Sequence, residues 1–246
     1  LASLVLTVSG LAQAQASPAP LICTGQLYQM TAGNTATSDT QVWLMGSDYR
    51  HGTSPLFTVP GVSLNGLAFN PQDRFLYAVN DYTDNAGLRL YRLNATGVVA
   101  DAKITNSAGE DVAGINSRRN SGTFDAHGNL FMADGWIPPY QRLYLVTGAA
   151  TMQPQARRIT IQTDTNPPGG YTGVALDGTT GGINVGDLAY SPAESSATTA
   201  VLYGTRNMQG STVYLYRIVV DLMASPLTAR ASRIGTGLPT LITYGS

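Results

Sequence analysis

Short apolar alternations recur along this chain, each a few residues long and closed by polar, glycine- or proline-containing turns. The first are Leu27–Met30, Gln41–Met45 and Leu56–Val59, followed by Leu67–Phe69, Phe75–Val79 and Leu88–Leu93. Further on come Leu130–Ala133, Arg142–Val146, Arg158–Ile161, Gly173–Leu176, Asp187–Tyr190, Val201–Gly204, Val213–Ile218 and Leu241–Tyr244. These runs are rich in β-branched and aromatic residues and bounded by Gly, Pro, Asn or Asp, which is the pattern of strands and turns. Outside the first eleven residues no long segment carries apolar residues at helical spacing. The chain is therefore expected to be all-β.

Three of the runs share a pattern. Leu64-Asn65-Gly66-Leu67-Ala68-Phe69-Asn70-Pro71 leads into Phe75–Val79, Ser121-Gly122-Thr123-Phe124 leads through Asp125-Ala126-His127-Gly128-Asn129 into Leu130–Ala133, and Val185-Gly186-Asp187-Leu188-Ala189-Tyr190 leads through Ser191-Pro192 into Val201–Gly204. In each, a glycine opens a short strand where backbones approach closely, a polar turn follows, and an aromatic-containing strand returns. A third strand then follows, at Leu88–Leu93, Arg142–Val146 and Val213–Ile218. This is an antiparallel meander repeated, and its expected form is a β-propeller-like repeat of antiparallel meander sheets with an incomplete C-terminal end, and a sandwich or barrel is the alternative. The marker glycines stand 56 and 64 residues apart, wider than the roughly 40–50 of ordinary blades. Long loops or unmarked blades would account for the difference.

These motifs resemble a family of bacterial exported propeller-like domains of unknown function that accompany surface-protein repeats. The resemblance runs from about residue 26 to 220 and carries no catalytic pattern. It implies an envelope or secreted domain belonging to a longer, surface-displayed protein.

The N-terminus agrees with export. Leu1–Leu11 is an apolar stretch of signal length, followed by Ala12-Gln13-Ala14 and Ala14-Gln15-Ala16 as small-x-small cleavage patterns. The expected organisation is a signal remnant over residues 1–16, a linker over 17–25 and the β-propeller-like domain over 26–246. No stretch is long enough to span a bilayer as a helix. Secretion, the periplasm or the cell surface is the expected location, with flanking domains missing from this sequence.

Composition narrows the function. Charged residues make up 12% of the 246, the formal net charge is -1, and Lys103 is the single lysine. Soluble proteins average about 25% charged residues. With no basic stripe, a nucleic-acid partner is not expected. Cys23 is alone and has no intramolecular disulfide partner.

Candidate chemistry is sparse. Asp81, Asp84 and Asn85 in Asn80-Asp81-Tyr82-Thr83-Asp84-Asn85 offer hard oxygens of the kind calcium accepts, without the spacing of an EF-hand. A solvated hairpin connection is the plainer reading of that segment. Asp134 follows its strand at a comparable place, as does Asn207 with Arg206 beside it. A propeller would turn such strand ends toward one channel, which makes Asp81, Asp84, Asn85 and Asp134 the candidate metal ligands, and Arg206 and Asn207 candidate ligand contacts. Calcium is the one cofactor in view; the main expectation is none. Trp136 and Tyr140, in the stiff Trp136-Ile137-Pro138-Pro139-Tyr140 loop, are candidate glycan or protein contacts. His51 and His127 have no partner at zinc-like spacing. No nucleophile elbow and no phosphate loop occur. The leading expectation is a non-catalytic exported or cell-surface interaction or structural domain, with a protein or glycan as partner. The alternatives are a metal-dependent lactonase-like hydrolase at a propeller channel and a carbohydrate-binding domain.

Overall fold

A computed structural model describes residues 18–21, 25, 27–82, 87–112, 119–134, 142–173, 185–206 and 213–238. Its elements are all strands: β1 (Leu27–Ala32), β2 (Thr40–Met45), β3 (Phe57–Val59), β4 (Leu64–Phe69), β5 (Leu76–Asn80), β6 (Arg89–Asn94), β7 (Gly97–Lys103) and β8 (Arg119–Phe124) in the first half. The second half holds β9 (Leu130–Asp134), β10 (Arg142–Thr147), β11 (Gln155–Thr163), β12 (Tyr171–Gly173), β13 (Asp187–Tyr190), β14 (Thr199–Arg206), β15 (Val213–Asp221) and β16 (Thr228–Leu238).

They form three sheets. β1-β2-β3 and β4-β5-β6-β7 are antiparallel meanders. The meanders β8–β11 and β13–β16 are joined edge to edge by a parallel pairing of β11 with β16, and β12 adds to β16, giving one nine-stranded mixed sheet. That sheet curls until its end strands meet: the Tyr190 amide of β13 donates to Thr123 Oγ1 of β8 at 3.2 Å. It nearly closes into a barrel. The all-β expectation holds, with two meanders fused where a repeat of separate sheets was expected.

Two cores lie between sheets and a third lies inside the curled one. Val42, Phe57 and Val59 pack with Leu64, Leu76, Ala78 and Leu93 between the first two sheets, and Leu21 joins them. Tyr77, Val79 and Leu90 meet Leu130, Met132, Tyr144 and Val146 in the second core. Phe131, Leu143, Leu145, Leu202, Tyr216 and Ile218 fill the interior of the nearly closed sheet. Strand alternation explains this allocation: Leu76 and Ala78 point one way, Tyr77 and Val79 the other. A strand covered on both faces reads as a continuous apolar run, which is why Leu-Tyr-Ala-Val stood out in the sequence.

The first strands of the meanders lie side by side. Gly66 and Gly122 are the point of closest approach: a Cβ on Gly122 would sit 2.7 Å from the Gly66 carbonyl oxygen. Gly66 also has φ +65 and lies at a register shift between β4 and β5, where glycine is the residue that fits a bulge. Two of the marker glycines, Gly66 and Gly122, thus allow backbone against backbone. The turns that follow also touch, since Gln72 Nε2 donates to the Ala126 carbonyl at 2.5 Å.

Candidate functional site

With the β4–β5 and β8–β9 turns together at one end, the returning strands finish at the other. Asn80 closes β5, Asp134 closes β9 and Arg206 closes β14, so each of these positions ends the second strand of its own meander. Asp134 stands in register with both Arg119 and Arg142. The description of Asp134 and Arg206 reaches their strand positions and not their side chains. Asp84, Asn85, Trp136, Tyr140 and Asn207 lie outside the described residues.

Asp81 is buried, and its amide donates to the Ser63 carbonyl at 2.7 Å. The residue before it organises the segment. Asn80 is buried, donates through Nδ2 to the carbonyls of Tyr82 (2.7 Å) and Gly87 (2.8 Å), and accepts from the Arg89 amide at 2.8 Å through Oδ1. One amide side chain therefore closes the connection between β5 and β6, satisfying backbone groups that no ladder reaches. Tyr82 ties the same connection to the first sheet by donating to the Asn34 carbonyl at 2.7 Å. Among the described residues no three His, Cys, Asp or Glu side chains gather closely enough to share a metal ion.

His127 sits in the β8–β9 turn. Buried Asp125 holds that turn by accepting the amides of His127 (2.8 Å) and Asn129 (2.9 Å), which is an Asx-turn role. His51 is placed differently. It bridges Met45 across the hairpin after β2, and its ring centroid stands 4.4 Å from that of Trp43. Trp43 Nε1 donates to Thr31 Oγ1 at 3.1 Å. His51 also lines, with the hairpin residues Leu44, Met45, Asp48 and Arg50, an open depression of about 350 Å³. Tyr49, at the hairpin tip, has φ 61 and is 74% exposed.

Sequence reasoning passed over this region because Trp43 lies in a run that reads as an ordinary strand. The signal that marks it is alternation: Gln41, Trp43 and Met45 share a face opposite Val42 and Leu44. A second overlooked group lies on β14 and β15. Glu194 accepts from Tyr203 Oη at 2.5 Å and from Arg217 Nε at 2.9 Å. The Tyr203 hydroxyl and the Arg217 guanidinium hold the Glu194 carboxyl below its ordinary range, and the same carboxylate pushes Tyr203 up to about 12. These groups satisfy one another on a partly exposed sheet surface, so the arrangement braces strands.

Among the described residues no helix is long and apolar enough to cross a membrane. A solved luciferin-regenerating enzyme is similar at 15% identity, over 89% of this chain and 61% of that one, with a TM-score of 0.42. The chain thus spans less than two thirds of that enzyme's length, and a likeness of this size transfers no activity. No curated protein matches the chain. The model of a family described as a repeat of unknown function (DUF6923) matches residues 32–246, and the chain belongs to that family.

Proposed function

We propose that this chain is a non-catalytic recognition domain of an exported protein, a propeller-like stack of meanders that presents its contact surface on the first sheet. The observation that carries this reading is the placement of exposed large apolar side chains. Of the seven among the described residues, Leu27, Leu44, Tyr49 and Leu56 all belong to the β1–β3 sheet or its connections. Scattered apolar exposure is ordinary; here it gathers at the end of the first sheet where β1 begins and β2 ends, with Leu27 on the outer face and Leu44 on the inner one, and that end is the proposed contact surface. The packing of β4 against β8 and of β8 against β13, with a core on each side of the β4–β7 sheet, supports the propeller-like architecture. The apolar run Leu1–Leu11 and the Ala-x-Ala patterns behind it support export.

The test is retention of soluble surface polymers, protein and polysaccharide, on the immobilised domain and on a Leu44→Ser/Tyr49→Ser variant. Loss of retention at unchanged melting temperature is the expected result. Equal retention by the two proteins would remove the first sheet from the proposal.

One observation favours a second reading. Asp81 follows β5, and Asp134 and Arg206 close β9 and β14, the strand ends that a channel-mouth calcium site of a lactonase-like hydrolase would draw on. Lactone and phosphoester hydrolysis that depends on added calcium, and that falls in Asp81→Asn, would make this reading the better one. The non-catalytic reading expects no calcium-dependent turnover.

A further inference from the structure

We propose that the outer face of the first sheet, centred on Trp43 and His51, binds a neutral carbohydrate chain. This rests on the recognition reading and names the class of ligand. The two faces of the sheet differ in kind. In the β1–β2 register Tyr28, Met30 and Val42 turn inward to the core, while Gln29 opposes Trp43 and Thr31 opposes Gln41 on the outside. A face built for another sheet carries mainly apolar side chains, as Leu76 and Ala78 on one face of β5 and Tyr77 and Val79 on the other do. This one carries amides and a hydroxyl beside an indole, with the Leu27–Met45 pair at its end. Sugars match that mixture, because a pyranose offers an apolar face of C–H groups and a rim of hydroxyls. Aromatic rings take the first, and polar side chains the second.

The aromatic shelf is set before any ligand arrives. The bond from Trp43 Nε1 to Thr31 Oγ1 fixes the indole, and the His51 ring flanks it at an interplanar angle of 39°. Rigid, preplaced rings lose little freedom on binding, which raises affinity. The open depression of about 350 Å³ adjoins the shelf through His51, which lines it. Asp48 and Arg50 bring to its rim one carboxylate and one guanidinium. Their charges cancel, so the rim offers both an acceptor and donors to hydroxyls without selecting for an anion.

The test uses the chain's two tryptophans, Trp43 and Trp136. In a Trp136→Phe background Trp43 is the only indole, and its fluorescence reports on the shelf alone. The probes are soluble β-1,4-linked hexamers of glucose, xylose, mannose and N-acetylglucosamine, with polygalacturonate as an anionic comparison. The expected result is a saturable change with at least one neutral hexamer, matched by calorimetry, with affinity reduced about tenfold or more in His51→Ala. A Trp43→Ala variant, followed by calorimetry, is expected to lose binding altogether. If that variant fails to fold, Gln29→Ala with His51→Ala serves in its place. No saturable response to any neutral hexamer, or affinity unchanged in His51→Ala, overturns the inference. Binding of polygalacturonate alone, abolished by salt, overturns it as well. If the hexamers fail while Leu44→Ser/Tyr49→Ser still abolishes retention of a protein, the carbohydrate inference falls and the recognition reading stands.

Discussion

The first two sheets of this protein are built from similar strands and put to different use. The β4–β7 sheet is covered on both sides, and every residue of β5 is buried. Among the described residues the β1–β3 sheet is covered on one side only, and its other side holds Gln29, Gln41 and Trp43 with the exposed Leu27 at its end. Both contain aromatic residues at alternating positions. In β5 the ring of Tyr77 is sealed between two meanders, 5.2 Å from Phe124, with its hydroxyl on Asp73 at 2.5 Å. In β2 the ring of Trp43 rests on a histidine at the surface. The number of covered faces, more than the residue type, separates a structural aromatic from one available for recognition.

The comparison is broken most directly at Tyr77. Tyr77→Ala removes a fully buried ring from the second core and is expected to cost about 3–5 kcal/mol in urea unfolding. The hydroxyl adds a pH signature. Burial, and then the Asp73 carboxylate, raise Tyr77 above its ordinary value of 10.0. The folded state therefore holds this proton more tightly than the unfolded one. That contribution is complete below the ordinary tyrosine value and is lost as pH rises beyond it. Tyr77→Phe is expected to flatten the alkaline fall in stability. A Tyr77→Ala cost below about 1 kcal/mol would mean that the second core tolerates a void, and the contrast between the sheets would lose its basis.

Gly122→Ala comes next. The new methyl would meet the Gly66 carbonyl oxygen and, at 3.3 Å, Leu130 Cδ1, so β4 and β8 must separate to admit it. A loss of about 1–3 kcal/mol is expected, read as a lower urea midpoint with an unchanged slope. Full stability in this variant would show that the close approach of the first strands is unnecessary.

Asn80→Ala tests the end where sequence reasoning looked for a metal. It strips partners from the Arg89 amide and the Gly87 and Tyr82 carbonyls, with an expected cost of about 1–3 kcal/mol. Faster hydrogen exchange at the Arg89 amide would locate the damage. Unchanged exchange there would mean that other bonds close the connection.

These residues also show what could be read from the sequence and what could not. β5, β9 and β10 were visible because burial on both faces produces unbroken apolar runs. β16 was not: Thr228–Leu238 spans eleven residues, yet its core side chains at Ala229 and Ala231 are small and carry little hydrophobic signal. Nor was β7, an edge strand whose exposed Val98 and charged Asp101 and Lys103 blur the alternation. The marker glycines were legible, since close backbone approach has no substitute chemistry. Asn80 was legible as a polar residue and illegible as a brace, because its partners are backbone groups up to nine residues away. Trp43 was hidden for a related reason. Alternation assigns a strand two faces, and only the neighbouring elements decide which face is covered.

The smallest effect is expected at Tyr49, and it sharpens the comparison from the other side. Its φ of 61 lies in the left-handed region, which costs a non-glycine residue roughly 1–2 kcal/mol. Tyr49→Gly relieves that cost and adds freedom to the unfolded chain, and the two effects oppose each other. With Tyr49 74% exposed, the packing contribution is small, so stability should change by less than about 0.5 kcal/mol. A larger loss would show that the hairpin tip is packed after all, and the first sheet would join the second as scaffold. If stability holds while retention of surface polymers drops, the strained tyrosine is kept for contact, as strain at exposed functional positions often is.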